Sequence, residues 1–271
     1  MGDLLYRKGT VDIIHDISIL HRTQKRGVVN FLYFANAMQY RLYEKPHNTR
    51  DEAYLGALER SDFLLPDGIA LQTRDRWTHT PRSRLENLNG TDLTPNILSH
   101  YAEAWSFQVF VLYLYDPRIG KWPERLEKAL EKLRITYGCE AYGYQVEYPE
   151  RDHIDPKRLR LDVPLIPWTP RILLNCLGTP AQEIWTQRYR DRVRANEMLV
   201  LNVGGFIDFF VWFEQRAPQW VVRMRVGETF YRIITNPKKN LRKFLAMFGI
   251  VRVIRKKIRL NMIGLVSKKK T

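Results

Sequence analysis

RILLNCLGTPAQEIW, residues 171–185, combines an apolar β-rich run, a Gly-Thr-Pro turn and the start of a helix. Similar apolar runs occur elsewhere: VVNFLYFA at 28–35, DFLL at 62–65, FQVFVLYLY at 107–115 and MLVLNVGG at 198–205. Several of these runs are apolar on both faces, as strands are when helices cover both sides of a parallel sheet. The sequence therefore predicts a buried parallel sheet.

Helical segments are predicted between these strands, at 51–60, 91–104, 121–136 and 180–195. Because strand and helix alternate along the chain, the predicted fold class is α/β. Open sheets of this class bind ligands outside the carboxyl ends of their strands. Four such ends carry distinctive residues: FAN at 34–36, LLPDG at 64–68, LGTPAQE at 177–183 and VGGFIDF at 203–209.

The strand end at LLPDG offers a candidate catalytic carboxylate, Asp67, directly before Gly68. A carboxylate in a partly desolvated pocket can accept the proton of an attacking hydroxyl group. Pro-Asp-Gly is also a common turn, and aspartate often caps helices. The tripeptide alone leaves both interpretations open.

The turn at 178–180 opens a predicted helix, and such a turn can bind a diphosphate through backbone N–H groups and the helix dipole. Gln182 and Glu183 lie in the first helical turn, where one can contact a ligand and the other can stabilise the helix. Gly204 and Gly205 permit close approach of a ligand to the backbone, although strand packing explains them equally well.

The chain has 44 Lys and Arg against 29 Asp and Glu, for a formal charge of +15. Such an excess suggests an anionic partner: nucleic acid, an acidic membrane or a phosphorylated substrate. Twelve of the basic residues follow residue 235, whereas no acidic residue follows Glu228, so the first 235 residues carry only +3. This distribution argues against a nucleic-acid-binding body.

The basic tail has the pattern of an amphipathic helix that starts at Asn236-Pro237. Its apolar residues recur at spacings of three and four: Leu241, Phe244, Leu245, Phe248, Val251, Ile254 and Ile258. A basic helix of this kind binds in the plane of an anionic membrane surface. A final helix packed on the domain is the alternative, which we disfavour because such helices usually mix acidic residues among the basic ones.

Other classes of site are not expected. The cysteines, Cys139 and Cys176, are too few for a disulfide framework or a four-cysteine zinc site, and a reducing cytoplasm is their simplest setting. The six histidines show no metal-binding spacing. The N-terminus lacks the pattern of a secretory signal, and the longest apolar stretch, around 107–115, is far shorter than the ~20 residues of a spanning helix.

Seven segments, taken in order, resemble the WecG/TagA/CpsF family of bacterial glycosyltransferases. They are FAN at 34–36, PDGIAL at 66–71, NGTDLTPNIL at 89–98, LLNCLGTPAQEIW at 173–185, LNVGGFIDF at 201–209, RAPQW at 216–220 and GETFYRIITNPKKNLRKF at 227–244. Each segment is weak by itself, but their order and near-usual spacing extend the resemblance from about residue 28 to residue 245.

The resemblance implies an inverting transfer of a hexose-type sugar, such as N-acetylmannosamine or its uronic acid, from a UDP-sugar donor. The implied acceptor is a polyprenyl-diphosphate-linked saccharide in cell-surface polysaccharide biosynthesis, for example of teichoic acid or exopolysaccharide. It implies a Rossmann-like nucleotide-sugar-binding domain at 1–227 and a membrane-associating appendage at 228–271. Catalysis would need no metal ion or other cofactor. The enzyme would be peripheral on the inner face of the cell membrane; a homo-oligomer is left open, and nucleic acid is not an expected partner.

The resemblance also assigns residues. Asp67 matches the family's proposed catalytic base, Asn36 a nearby pocket asparagine, and Gln182 a glutamine associated with the donor pocket. The glycines at the same strand ends complete the predicted substrate-binding set: Gly68, Gly178, Gly204 and Gly205.

In the appendage, Arg232 and Arg242 match basic residues that stabilise the departing diphosphate, and Lys239 occupies a position usually held by arginine. Cations suit this role because, without a metal ion, the developing charge on UDP must be met by side chains or dipoles.

Two positions depart from the family pattern. Asn87 stands where the family usually has arginine, with Arg82 and Arg84 as candidate replacements for the missing charge. Tyr115-Asp116 replaces a glycine pair after the third strand, which alters a wall of the expected donor pocket. These departures permit an alternative, a non-catalytic scaffold in a polysaccharide assembly complex, although the retained Asp67 favours catalysis.

Overall fold

The computed structural model describes residues 4–40, 42, 46, 48–68, 71–72, 86–147 and 169–211. The predicted appendage at 228–271 and the end of the predicted catalytic domain lie outside these residues, so the domain boundary stays a prediction.

The described part of the chain forms one sheet of six parallel strands. In chain order the strands are β1 (Gly27–Tyr33), β2 (Phe63–Asp67), β3 (Gln108–Tyr115), β4 (Glu140–Glu147), β5 (Arg171–Cys176) and β6 (Met198–Asn202). Their spatial order is β2-β1-β6-β5-β3-β4. This sheet confirms the α/β, Rossmann-like prediction. The edge strand β4 was not predicted: its sequence, EAYGYQVE, mixes exposed and buried positions and lacks the long apolar run of the central strands.

Helices connect the strands. The described helices are α1 (Thr10–Gln24), α2 (Phe34–Gln39), α3 (Thr49–Glu59), α4 (Gly90–Ala104), α5 (Pro123–Tyr137), α6 (Ala181–Arg188), α7 (Arg190–Ala195) and α8 (Phe206–Phe210). The four predicted helices are confirmed to within a few residues, except that the last is two short helices separated at Tyr189. The first strand was predicted two residues too long, because FAN at 34–36 belongs to α2. The N-terminal helix α1 was not predicted.

The helices cover both faces of the sheet, as alternating strand residues require. On one face, side chains of α1, α4, α5 and α8 pack with Val109 and Val111 of β3. On the other, side chains of α6 and α7 pack with Phe110 and Leu112, and α3 packs further along with Leu32. The result is a three-layer α/β/α sandwich whose strands are buried on both sides.

The outer edge of β2 is covered by chain rather than left open. Tyr6 N–H donates to the carbonyl oxygen of Leu64 at 2.8 Å, and Leu88 N–H donates to that of Pro66 at 2.9 Å. Edge strands are commonly protected in this way. The pairing also brings the segment before α4 next to the carboxyl end of β2.

The connections define a crevice at the carboxyl edge of the sheet. The chain leaves β3 toward β4 through α5, whereas it leaves β5 toward β6 through α6 on the opposite face. Because β3 and β5 are neighbours, the space between their carboxyl ends is a topological switch point, where open α/β sheets bind ligands. Within the described ranges, every helix is too short or too polar to cross a membrane.

Candidate active site

The predicted catalytic carboxylate lies at one corner of the sheet's carboxyl edge. Asp67 is the last residue of β2 and pairs in register with Tyr33, the last residue of β1. Asn36 follows three residues later in α2, so Asp67 lies at the end of β2 and Asn36 just beyond the end of the neighbouring parallel strand β1. Both are partly exposed, which leaves them accessible to a ligand at this edge.

The backbone after Asp67 has a conformation that glycine favours. Gly68 has φ of 90°, and a Cβ added there would lie 3.1 Å from Cε2 and 3.3 Å from Cδ2 of Tyr33. Any side chain at this position would therefore be strained and crowded. Gly68 serves the shape of the turn that presents Asp67.

Asn87 belongs to the same corner. Its Oδ1 accepts a 2.6 Å hydrogen bond from Gly68 N–H, the backbone group directly after Asp67. The asparagine that replaces the family's usual arginine thus holds the turn through a neutral hydrogen bond. The sequence marked this position as unusual, but it contained no signal for the contact, which joins residues 19 apart.

Gln182 lies in the first turn of α6, next to the carboxyl ends of β5 and β6, and is 2% exposed. Its Oε1 accepts from Gly178 N–H at 3.2 Å and from Gly204 N–H at 3.0 Å. Its Nε2 donates to the carbonyl oxygen of Asn202 at 3.0 Å and to Glu183 Oε1 at 2.9 Å. An amide side chain offers two donors and two acceptor lone pairs, so the protein itself uses all four. Gln182 ties the turn after β5 to the turn after β6.

This brace affects the predicted diphosphate contact. The N–H groups of Gly178 and Gly204 are engaged by Gln182, and Gln182 N–H donates to the carbonyl oxygen of Gly178 at 3.1 Å. A diphosphate at this turn would have to use other donors. Space is present, because a Cβ added at Gly178 would meet no described atom within 4 Å. The turn after β5 with Gly178 and the turn after β6 with Gly204 and Gly205 stay predicted substrate-binding elements.

Glu183 is also part of the buried network rather than of an open pocket. Its Oε1 accepts from Thr179 Oγ1 at 3.0 Å and from Gln182. Burial raises the pKa of Glu183 to about 7, and these hydrogen bonds limit the rise. Among the described residues, no donor reaches Oε2. With a pKa of about 7, the carboxyl group of Glu183 is neutral in an appreciable fraction of molecules near neutral pH.

Three asparagines continue the network across the middle of the sheet: Asn30, Asn175 and Asn202. Asn202 Nδ2 donates to Asn30 Oδ1, and Thr186 Oγ1 donates to Asn202 Oδ1 at 2.9 Å. Asn175 Nδ2 donates to Thr186 Oγ1 at 3.2 Å. Sequence reasoning did not use these residues, although an asparagine inside an apolar strand is a signal, because buried amides need partners.

A second buried cluster lies at the end of β3, beside the switch point. Asp208 of α8 is fully buried and forms ion pairs with Lys121 Nζ at 3.1 Å and Arg125 Nη1 at 2.8 Å. Lys121 Nζ also lies 5.1 Å from the centre of the Tyr113 ring. Burial raises the pKa of the nearby Cys176 thiol to about 12, so the thiol is neutral and not a nucleophile. Sequence reasoning missed Lys121 and Arg125, which become neighbours of Asp208 only in the fold.

The other predicted site residues lie outside the described residues: Arg82, Arg84, Arg232, Lys239 and Arg242. Their roles stay predictions. Within the described ranges, no group of three or more His, Cys, Asp or Glu side chains has the geometry of a metal site.

The sequence of the chain is similar to those of known glycosyltransferases. Residues 10–262 match the model of the Glycosyl transferase WecG/TagA/CpsF family. A protein of Bacillus subtilis (strain 168), an N-acetylglucosaminyldiphosphoundecaprenol N-acetyl-beta-D-mannosaminyltransferase, is 27% identical over 190 residues, which cover 69% of this chain and 66% of the relative. A protein of the same name from Bacillus spizizenii (strain W23) is 27% identical over 199 residues, covering 73% and 68%.

The aligned stretch thus spans only about two thirds of each relative's length. The family match is broader, since it extends over most of the chain and includes every predicted site residue, those of the tail among them. On this evidence the chain belongs to the WecG/TagA/CpsF family of glycosyl transferases.

Proposed function

We propose that the chain transfers a hexose-type sugar, of the N-acetylmannosamine class, from a UDP-sugar to a saccharide linked to polyprenyl diphosphate. The observation that carries the proposal is the corner formed by Asp67 and Asn36 at the carboxyl edge of the sheet. The names of the two relatives, which describe transfer of N-acetylmannosamine to a sugar on diphosphoundecaprenol, support the substrate class.

In the proposed reaction, Asp67 accepts the proton of an acceptor hydroxyl while that oxygen attacks the anomeric carbon of the donor. The bond from that carbon to the UDP oxygen breaks in the same displacement, which inverts the configuration. Asn36 would position the substrates. Asn87, through Gly68 N–H, fixes the backbone that carries Asp67.

The departing UDP gains negative charge, which cations can stabilise. We assign this role to Arg232, Lys239 and Arg242 of the appendage, because they follow the pattern of the family's basic residues. Gln182 supports the site indirectly by holding the two glycine turns together.

The direct test is release of UDP from a panel of UDP-sugars, measured with and without a short polyprenyl-diphosphate saccharide acceptor. We expect acceptor-dependent release with one or a few donors, and none from Asp67→Ala. If the unchanged protein released no UDP with any of a broad panel of donors and acceptors, the proposal would be contradicted.

We further propose that the appendage holds the enzyme at the inner face of the cell membrane, where a lipid-linked acceptor would be presented. A full-length variant with Arg252, Arg255, Lys256, Lys257 and Arg259 changed to glutamine tests this. Each basic residue near an anionic surface contributes about 1 kcal/mol, so binding to phosphatidylglycerol vesicles should weaken at least about 100-fold.

Vesicles of phosphatidylcholine, which carry no net charge, are the control. The affinities of the two proteins for these vesicles should differ far less. Vesicle co-sedimentation measures the binding, and the transfer assay on the same vesicles measures its consequence. Equal binding to anionic vesicles by both proteins would rule out an electrostatic role for the tail.

A further inference from the structure

The loop between β3 and α5 is short and braced at several points. Asp116 and Lys121 exchange two backbone hydrogen bonds, with N–H to O distances of 3.2 and 3.0 Å. Arg118 donates from Nε and Nη2 to the two carboxylate oxygens of Asp116, both at 2.9 Å. Lys121 is also paired with the buried Asp208. The loop therefore has one well-defined shape.

This loop presents an aromatic pair at the carboxyl edge of the sheet. Trp122 is 47% exposed, and its ring lies 6.5 Å from that of Tyr115, at an interplanar angle of 64°. Tyr115 is the last residue of β3, so the pair lies beside the crevice between β3 and β5. A large aromatic ring that is half exposed on a rigid loop is more typical of a binding surface than of a core.

The indole ring of Trp122 contacts Tyr115 but takes no part in the hydrogen bonds that brace the loop. Trp122 occupies the N-cap position of α5, and its indole ring has no acceptor with which to cap the helix. Its neighbours Lys121 and Arg125 are held by Asp208, and this anchoring does not depend on the indole ring.

We propose that Trp122 and Tyr115 form the surface on which the nucleobase of the nucleoside diphosphate donor stacks. This inference rests on the proposed UDP-sugar donor and adds the residues that bind its base. Nucleotides bind at the topological switch point of open α/β sheets, which here lies next to Tyr115. Bases stack on aromatic side chains, and tryptophan and tyrosine are well suited to this contact.

The position of the aromatic pair also fits the length of the donor. The order β2-β1-β6-β5-β3 separates Asp67 from Tyr115 by four inter-strand gaps, or about 19 Å across the edge. The length of an extended nucleoside diphosphate sugar is of the same order as this span. The diphosphate would then cross the ends of β5 and β6, where Gly178 and Gly204 carry no side chains.

The test compares the full chain with Trp122→Ala and Trp122→Phe by isothermal titration with UDP and with inorganic pyrophosphate. Loss of one base–aromatic stack should weaken UDP binding about 5- to 150-fold in Trp122→Ala. Trp122→Phe should retain most of the affinity, and pyrophosphate binding should not change. Ile135→Ala is the matched control, because Ile135 is a 77% exposed apolar residue at the other end of the same helix.

Three results would overturn the inference. In the first, Trp122→Ala binds UDP as tightly as the unchanged protein does, or only its KM for the acceptor changes. The base then does not stack on Trp122, and the proposed function stands. In the second, the affinities for UDP and for pyrophosphate fall by the same factor in Trp122→Ala, which would show that Trp122 acts through the shape of the loop. In the third, the unchanged protein binds no UDP and releases none from any UDP-sugar, and the proposed function then fails together with the inference.

Discussion

Replacing Asp67 with asparagine is expected to lower turnover by about 10²- to 10⁴-fold, the range typical of a lost general base. The amide keeps the size of the side chain but cannot accept the proton of the acceptor hydroxyl at neutral pH. Affinity for UDP should change little, because the carboxylate acts on the acceptor. Steady-state rates of UDP release, together with calorimetric UDP binding, measure the two effects separately.

Asp62→Asn is a matched control for this experiment. Asp62 is an exposed aspartate directly before β2, at the amino ends of the strands, where it accepts a 2.8 Å hydrogen bond from Val28 N–H. Asparagine can still accept that bond, so folding and turnover should both persist. Normal turnover in Asp67→Asn would remove Asp67 from the proposed mechanism and leave the catalytic base to be found elsewhere.

Replacing Gln182 with methionine is expected to lower the free energy of unfolding by about 3 kcal/mol, because buried groups lose their hydrogen-bond partner. The groups affected are Gly178 N–H, Gly204 N–H, the carbonyl oxygen of Asn202 and Glu183 Oε1. Turnover should fall as well, since the two glycine turns lose their common tie. Urea denaturation measures the first effect and the UDP-release assay the second.

Gln187→Met is the control, since Gln187 lies on the same helix but is only partly buried. Its free energy of unfolding should be close to that of the natural sequence. The experiment also separates two roles for Gln182. Unchanged stability with a raised KM for the donor would show that Gln182 contacts the donor, as the family resemblance implies, and would argue against a bracing role.

The two departures from the family pattern occupy different parts of the site. Asn87 supports the turn at Asp67, whereas Tyr115-Asp116 shapes the loop that presents Trp122. A neutral hydrogen bond replaces the family's usual charge at the first position, and an aromatic ring with a braced carboxylate replaces two glycines at the second. Both changes lie on the path proposed for the donor, so donor specificity is the property in which this chain is most expected to differ from its relatives.

Much of the architecture could be read from local patterns. The central strands were predicted because their residues are apolar on both faces. Asp67 was proposed as a site residue because it lies at a strand end and matches the family's pattern. The edge strand β4 was missed because only a few of its positions are buried and apolar. The helix α1 was missed because its 15 residues include many polar and charged ones.

The sequence by itself determined the fold class, the positions of the five strands other than β4, the family and the main candidate residue, because these depend on periodicity and on motifs within short segments. Only the tertiary structure decided the partners of Gln182, the bond from Gly68 to Asn87 and the ion pairs of Asp208. Apart from the bonds of Gln182 to Gly178 and Glu183, these contacts join residues 19 to 87 positions apart. They form only once the strands are arranged in the order β2-β1-β6-β5-β3-β4, which no single segment of sequence specifies.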